Sequence, residues 1–281
     1  MAAITAKMVS ELRARTGAGM MDCKKALTET DGDMEKAVEL LRLKGQAKSD
    51  KRAGREASEG TVAAHVLSDG KAGALVELNC ETDFVARTPE FAGLASTIAK
   101  HVAESPDGSV SPQVTDMVKQ LSAKTGEHVA LRRTARLARG GAGRLETYIH
   151  FNGQVGVLLN LSAPDGAATR PEVAELAKDL TLHIASAKPI AVAIPDVPAD
   201  LVERERRVYA AQVAEEGKPE AIRAKIVEGK VRKFFEERVL LEQPFVKDDK
   251  KKIKDLLKEA GNAVGGTLAV AQFARFEVGG E

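Results

Sequence analysis

The sequence predicts an α+β fold: a three-helix N-terminal module, a duplicated α+β core of two half-domains with small antiparallel sheets, and an inserted antiparallel helical hairpin. Three observations carry this. The first 45 residues show apolar positions at helical spacing, broken at "TGAG" and again at "DGD". "HVLSDGKAGALVEL" (65–78) aligns with "YIHFNGQVGVLLNL" (148–161) as an internal repeat. A charged stretch with helical pattern interrupts the second copy before its last strand.

In chain order, Met8, Val9 and Leu12 form the stripe of a first helix that Thr16–Gly19 ends. A second helix carries Met21, Ala26 and Leu27. A third follows Asp33 as N-cap, continues through Ala37, Val38 and Leu41, and is expected to stop at Gly45. "QAKSDKRAGREASEG" then reads as a solvated basic tether containing Lys48, Lys51, Arg52 and Arg55, so residues 1–55 form module plus tether.

Residues 56–143 make the first half-domain, and 144–187 with 245–281 the second. Asp69-Gly70 and Asn152-Gly153 are two-residue hairpin signals. The helices after them also align, "GLASTIAKHVA" (93–103) with "ELAKDLTLHIA" (175–185), which places His101 opposite His183 in equivalent packing positions. "ARLARGG" (135–141) matches "ARFEVGG" (274–280) as the returning strand. Between 188 and 244 lie a Pro-punctuated extended run, a charged helix, a Gly217-Lys218-Pro219 turn and a second helix with Ile222, Ile226, Phe234 and Phe235. That is a projecting arm, of a kind suited to self-association.

The composition is that of a folded protein, 43% apolar and 30% charged, and the net charge of +1 gives no basic excess for nucleic-acid binding. Cys23 and Cys80 are too few for a disulfide framework and lie in no CxxC pair. No apolar run approaches the ~18 residues of a membrane span, and a cytoplasmic location is expected. There is no phosphate-binding GxxxxGK[ST] motif, no metal-ligand spacing around the five histidines and no nucleophile elbow, so neither an enzyme nor a cofactor or metal is expected.

The repeat isolates one loop. After its central strand the first copy reads "NCETDFVARTP" and the second "SAPDGAATRP". Both make the same connection, and the second does so with small turn residues. Asp83, Phe84 and Val85 are therefore surplus to the architecture, and an exposed aromatic on a short anchored loop suits a partner's pocket. The competing reading tucks Phe84 into the first half-domain's core. A ribosome- or RNA-associated assembly protein is the alternative function, suggested by the basic tether and the small helical module, although no aromatic is interleaved to stack on bases.

"TGAGMMDCKKAL" (16–27) and "NCETDFVAR" (79–87) closely resemble the two signature stretches of the bacterial translation elongation factor Ts family. "HIASAKP" (183–189), "EGKVRKFF" (228–235) and "RFEVG" (275–279) are similar to that family as well. The resemblance implies a guanine-nucleotide exchange factor for elongation factor Tu, one that binds its GDP-loaded and nucleotide-free forms. It implies a ubiquitin-associated-like N-terminal module and an arm that serves a homodimer. It assigns Thr82, Asp83, Phe84 and Val85 to dislodging Mg²⁺ from the partner, Met20 and Met21 to the partner's nucleotide domain, and His150 to its third domain. Many members continue past "RFEVG" with a further helix, so a C-terminal contact is expected to be shortened where this sequence stops at Glu281.

Overall fold

The structure is a computed structural model that describes residues 3–217 and 219–280. Lys218, part of the expected arm turn, and Glu281 lie outside the described residues, as does the side chain of Lys48.

The N-terminal module follows its caps. Helix α1 (Ala6–Thr16) starts on Thr5, whose hydroxyl accepts from Met8 N at 3.3 Å, and ends on Gly17 in the left-handed region. Helix α2 spans Met20–Glu29. Helix α3 (Met34–Arg52) starts on Asp33, whose carboxylate accepts from Glu35 N and Lys36 N at 3.1 Å. Leu12, Cys23, Ala26, Leu27 and Ala37 close a small core between them.

Two expectations are corrected here. α3 does not stop at Gly45, and residues 46–52 continue the helix instead of forming a linker. "QAKSDKR" is a run of competent helix formers without a breaker, so the helix continues through it. A Cβ at Gly45 would lie 2.9 Å from Ala123 Cβ on α6 (Pro112–Thr125), so this glycine permits close helix contact rather than termination. Arg42 pairs with Asp116 at 2.8 Å, Lys119 with Asp50 at 2.9 Å, and Arg52 Nη1 donates to Ser122 O at 3.1 Å. The module is thus joined to the core along a helix–helix seam.

The first core unit contains β1 (Glu59–Val66), β2 (Ala72–Cys80) and β3 (Ala130–Ala138), ordered β1-β2-β3 and all antiparallel. Between β2 and β3 come a one-turn helix α4 (Asp83–Ala86), α5 (Pro89–Glu104) and α6. The second unit has β4 (Gly143–Ile149), β5 (Val155–Ser162) and α7 (Pro171–Ala187). The arm helices α8 (Ala199–Glu215) and α9 (Glu220–Arg238) follow, then a short ribbon of β6 (Pro244–Phe245) and β7 (Asp248–Lys252). Helix α10 (Ile253–Val264) and β8 (Ala269–Glu277) complete a sheet of order β4-β5-β8.

The repeat holds residue by residue. Leu75 pairs with Ala135 in one sheet, and Leu158 with Ala274 in the other. Each central strand shifts register at the equivalent step, after Glu77 and after Asn160. Phe91, Ala95, Ile98 and Val102 bury one face of α5, and Val173, Ala177, Leu180 and Ile184 bury that of α7.

The two sheets pack against each other through Val62, Leu75, Leu137, Leu145, Leu158 and Phe276, with helices on both outer faces. β2 is therefore buried along its whole length, which explains its apolar run from Ala72 to Val76, and the buried Glu77 that follows is paired with Arg132 at 3.2 Å and Arg133 at 2.7 Å. The equivalent glycines Gly73 and Gly156 let the central strands meet. A Cβ on Gly156 would sit 2.5 Å from Val62 Cγ1 and 3.0 Å from Leu75 Cδ1, and one on Gly73 3.2 Å from Leu158 Cδ1.

α8 and α9 pair through Val213, Val227 and Val231, while Ile222 stays exposed. The arm's root is woven into the second unit. Ile190 N donates to Arg238 O and Leu240 N to Ala191 O, both at 2.9 Å, and Leu240 is fully buried in the second unit's core. His183 is buried there too: Nε2 faces Gln243 Oε1 at 2.9 Å, and Nδ1 accepts from Val246 N at 3.3 Å. Its repeat partner His101 is only half-buried. Among the described residues, no helix is long and apolar enough to cross a membrane.

Candidate functional site

The loop after β2 is built on a cross-clamp between two carboxylates. Glu127, in the turn between α6 and β3, accepts Thr82 Oγ1 on one oxygen at 2.6 Å. Its other oxygen accepts the Glu81 and Thr82 backbone N–H groups, each at 3.1 Å. In return Glu81 Oε1 accepts from His128 N at 2.5 Å and pairs with Arg55 at 3.3 Å, and the His128 N–H bond, first among its partners, holds the Glu81 carboxyl below the usual range. His128 Nδ1 lies 2.7 Å from Arg55 O, so the segment after α3 also takes part.

On this base two threonines act in tandem. Thr82 caps α4, accepting from Val85 N at 3.4 Å. Thr88 donates to Val85 O at 2.8 Å while accepting from Phe91 N at 3.3 Å, which caps α5. The turn thus has little freedom. Phe84 projects from it 82% exposed, which excludes the reading that tucks it into the core. Asp83 is half-exposed and bonded to Arg87 at 3.0 Å. Val85 turns the opposite way and packs on the first unit's core with Ala86. Val85 is therefore not surplus to the architecture: in a single helical turn, the residue after an outward Phe lands on the inner face. Beneath the loop, burial and then the nearby Glu127 charge push the Cys80 thiol up to about 12, so it is no nucleophile at neutral pH.

The other candidate residues are spread over two places. Met20 and Met21 are 55% and 65% exposed on the first turn of α2, while Cys23, Ala26 and Leu27 on the same helix are buried in the module. His150 lies in the β4–β5 turn with Tyr148 Oη 2.6 Å from its Nδ1. That hairpin tip rests on the first unit, where Val62 N donates to Gly153 O at 2.7 Å and Thr61 Oγ1 to the same oxygen at 3.2 Å. Thr61 pairs with Leu78, two residues before Cys80, so His150 and the Phe84 loop occupy the same end of the sheet pair.

Phe151 escaped the sequence reasoning. It is 93% exposed, with its ring centroid 4.5 Å from that of His150. The repeat alignment sets it opposite Ser68, and the comparison that singled out Phe84 would have found it. Among the described residues, no group of three or more His, Cys, Asp or Glu could hold a metal ion.

An open cleft of about 710 Å³ separates the α1–α2 turn from α5 and α6. Several cations around it are already paired, including Lys124 with Glu90 at 2.7 Å and Arg42 with Asp116. That pairing does not favour an RNA-binding groove.

These features define a duplicated α+β protein that presents an aromatic on a fixed turn at one end of its sheets. The family model described as Elongation factor TS matches residues 81–280. Three relatives named Elongation factor Ts match nearly the whole chain. That of Aquifex aeolicus is 45% identical over 99% of both chains. That of Symbiobacterium thermophilum is 49% identical over 99% of this chain and 93% of its own. That of Desulfovibrio desulfuricans is 46% identical over the full length of both. The chain belongs to the elongation factor Ts family.

Proposed function

We propose that this chain is a guanine-nucleotide exchange factor for elongation factor Tu, and that the Thr82–Val85 turn dislodges Mg²⁺ from the GDP-loaded GTPase. GDP then leaves, and the nucleotide-free partner is free to take GTP. The observation that carries the reading is Phe84, exposed on a turn whose backbone is held at both ends. Phe84 enters the partner and displaces the elements that hold the ion. Asp83 presents negative charge beside it, Thr82 fixes the turn, and Val85 anchors it to the core. This chain makes and breaks no covalent bond.

Met20 and Met21 contact the partner's nucleotide domain, and His150 with the adjacent Phe151 contacts its third domain. The helical arm, with Val208 and Ile222 exposed on it, serves a homodimer. Coupling is reciprocal: a factor that weakens GDP binding is itself weakened by GDP to the same degree, which keeps the cycle from stalling in either complex. The test is to mix the chain with elongation factor Tu loaded with fluorescent GDP, with excess unlabelled GDP present. Accelerated loss of fluorescence supports the reading; binding without acceleration refutes it.

A further inference from the structure

We infer that Glu127 is the positioning residue for the Phe84 turn: its carboxylate sets the angle at which the aromatic is presented, and so the rate of nucleotide release rather than the strength of docking. This rests on the exchange reading above.

Glu127 is half-buried and, among the described residues, makes no ion pair. Its two carboxylate oxygens accept three donors, all from Glu81 and Thr82. Nearby acidic side chains behave differently: Glu90 pairs with Lys124, and Asp83 with Arg87. The hydroxyl it receives has a second duty. Because Thr82 Oγ1 donates to the carboxylate, its lone pairs face Val85 N, one of the N–H groups in the first turn of α4 that have no acceptor within the helix. Carboxylate, hydroxyl and N–H form one chain in which each bond polarises the next. Phe84 lies between the two residues that this chain joins.

The clamp is itself held from behind. Ser122 Oγ donates to Glu127 O at 2.6 Å, and Arg52 at the end of α3 donates to Ser122 O. A carboxylate in this place accepts all three donors at once. An amide keeps one acceptor oxygen and points an N–H₂ at a donor. Alanine keeps none.

The experiment uses the full chain and elongation factor Tu carrying fluorescent GDP, with release followed by stopped flow over a series of factor concentrations. Glu127→Ala is expected to lower the maximal release rate roughly ten-fold, the scale of lost hydrogen bonds to a charged acceptor. The half-saturating concentration should stay within about two-fold, because the docking surfaces are untouched. Glu127→Gln should recover part of the rate. Thr82→Val, which removes only the hydroxyl of the chain, should lower the rate in the same way, and the double variant should fall little further than either alone. If Glu127→Ala does not fold, Thr82→Val and Glu127→Gln carry the test.

Phe84→Ala run in parallel separates the two readings. If it leaves release unchanged, the exchange mechanism fails. If it slows release while Glu127→Ala and Thr82→Val do not, only the positioning role fails. A rise in half-saturating concentration at constant maximal rate would also overturn that role, because it would make Glu127 a docking residue.

Discussion

Replacing Phe84 by alanine isolates the wedge. In the free chain the ring is 82% exposed and supports no core, so its removal leaves the stability of the factor unchanged. Fully burying a Phe side chain is worth about 1.5–3 kcal/mol. Scaled by the 82% of surface still open to a partner, the ring contributes about 1.2–2.5 kcal/mol to the transition state for release, in which it enters the partner, and not to the docked complex before it. At about 1.4 kcal/mol per decade, that is a fall of about 7- to 60-fold in the maximal rate of GDP release. The assay is stopped-flow release of fluorescent GDP from elongation factor Tu, with binding to the nucleotide-free partner measured alongside and a thermal melt of each factor. The expected pattern is slow release, nearly preserved binding and an unmoved melting temperature. An unchanged release rate would show that the ring does not enter the partner at the step that matters. A loss of binding equal to the loss of rate would make Phe84 a docking residue and leave Mg²⁺ displacement unsupported.

Other outcomes follow from packing and charge. Gly156→Ala places a methyl 2.5 Å from Val62 Cγ1, and forcing the sheets apart should cost about 1–3 kcal/mol, read as a melting temperature lower by several degrees; an unchanged melt would refute the close approach. His183 binds a proton less readily than its ordinary value of 6.5, first because burial penalises its charged form. The proton would also enter on Nδ1, which faces the Val246 N–H. Below pH 6.5 the unfolded chain then binds more protons than the folded one, so this contribution is full above that pH and is lost as pH falls below it. His183→Gln should flatten the acid limb of a stability-versus-pH curve, and an identical limb in both proteins would exclude the effect. Replacing residues 199–238 by a short linker, while keeping Leu240 in its core, should change the oligomeric mass seen by light scattering and leave exchange activity in place; an unaltered mass would remove the arm from self-association.

What the sequence disclosed was mainly local. Asp33 as a cap and the two aligned helices are short-range signals, written within a few residues of where they act; Asp-Gly and Asn-Gly mark turns as well, but each hairpin closes over four residues, 68–71 and 151–154, rather than two. The repeat went further, because comparing a chain with itself separates what a fold requires from what it only tolerates. That logic found Phe84, and applied to Ser68 and Phe151 it would have found the second exposed ring. The errors were tertiary. Gly45 looks like a helix end until Ala123 is known to lie against it, and no local pattern reports a contact 78 positions away. Glu127 was silent for the same reason: its partners lie 45 and 46 residues upstream. Val85 misled because successive side chains on a helical turn point about 100° apart, so Val85 can reach the core while Phe84 stays outside, which composition alone does not reveal.

The burial of β2 has a mechanical consequence. The strand is flanked by β1 and β3, covered by α5 on one face and pressed by the second sheet on the other, and the Phe84 turn is mounted directly on its end. A load applied at the ring is therefore resisted by the entire sandwich, because the mount cannot recoil without shearing two hydrogen-bonded ladders at once. When such a stiff probe meets a pocket shaped around a metal ion, the more compliant body deforms. On the exchange reading, the strain of docking is delivered to the ion's coordination sphere and is not absorbed in the factor that applies it.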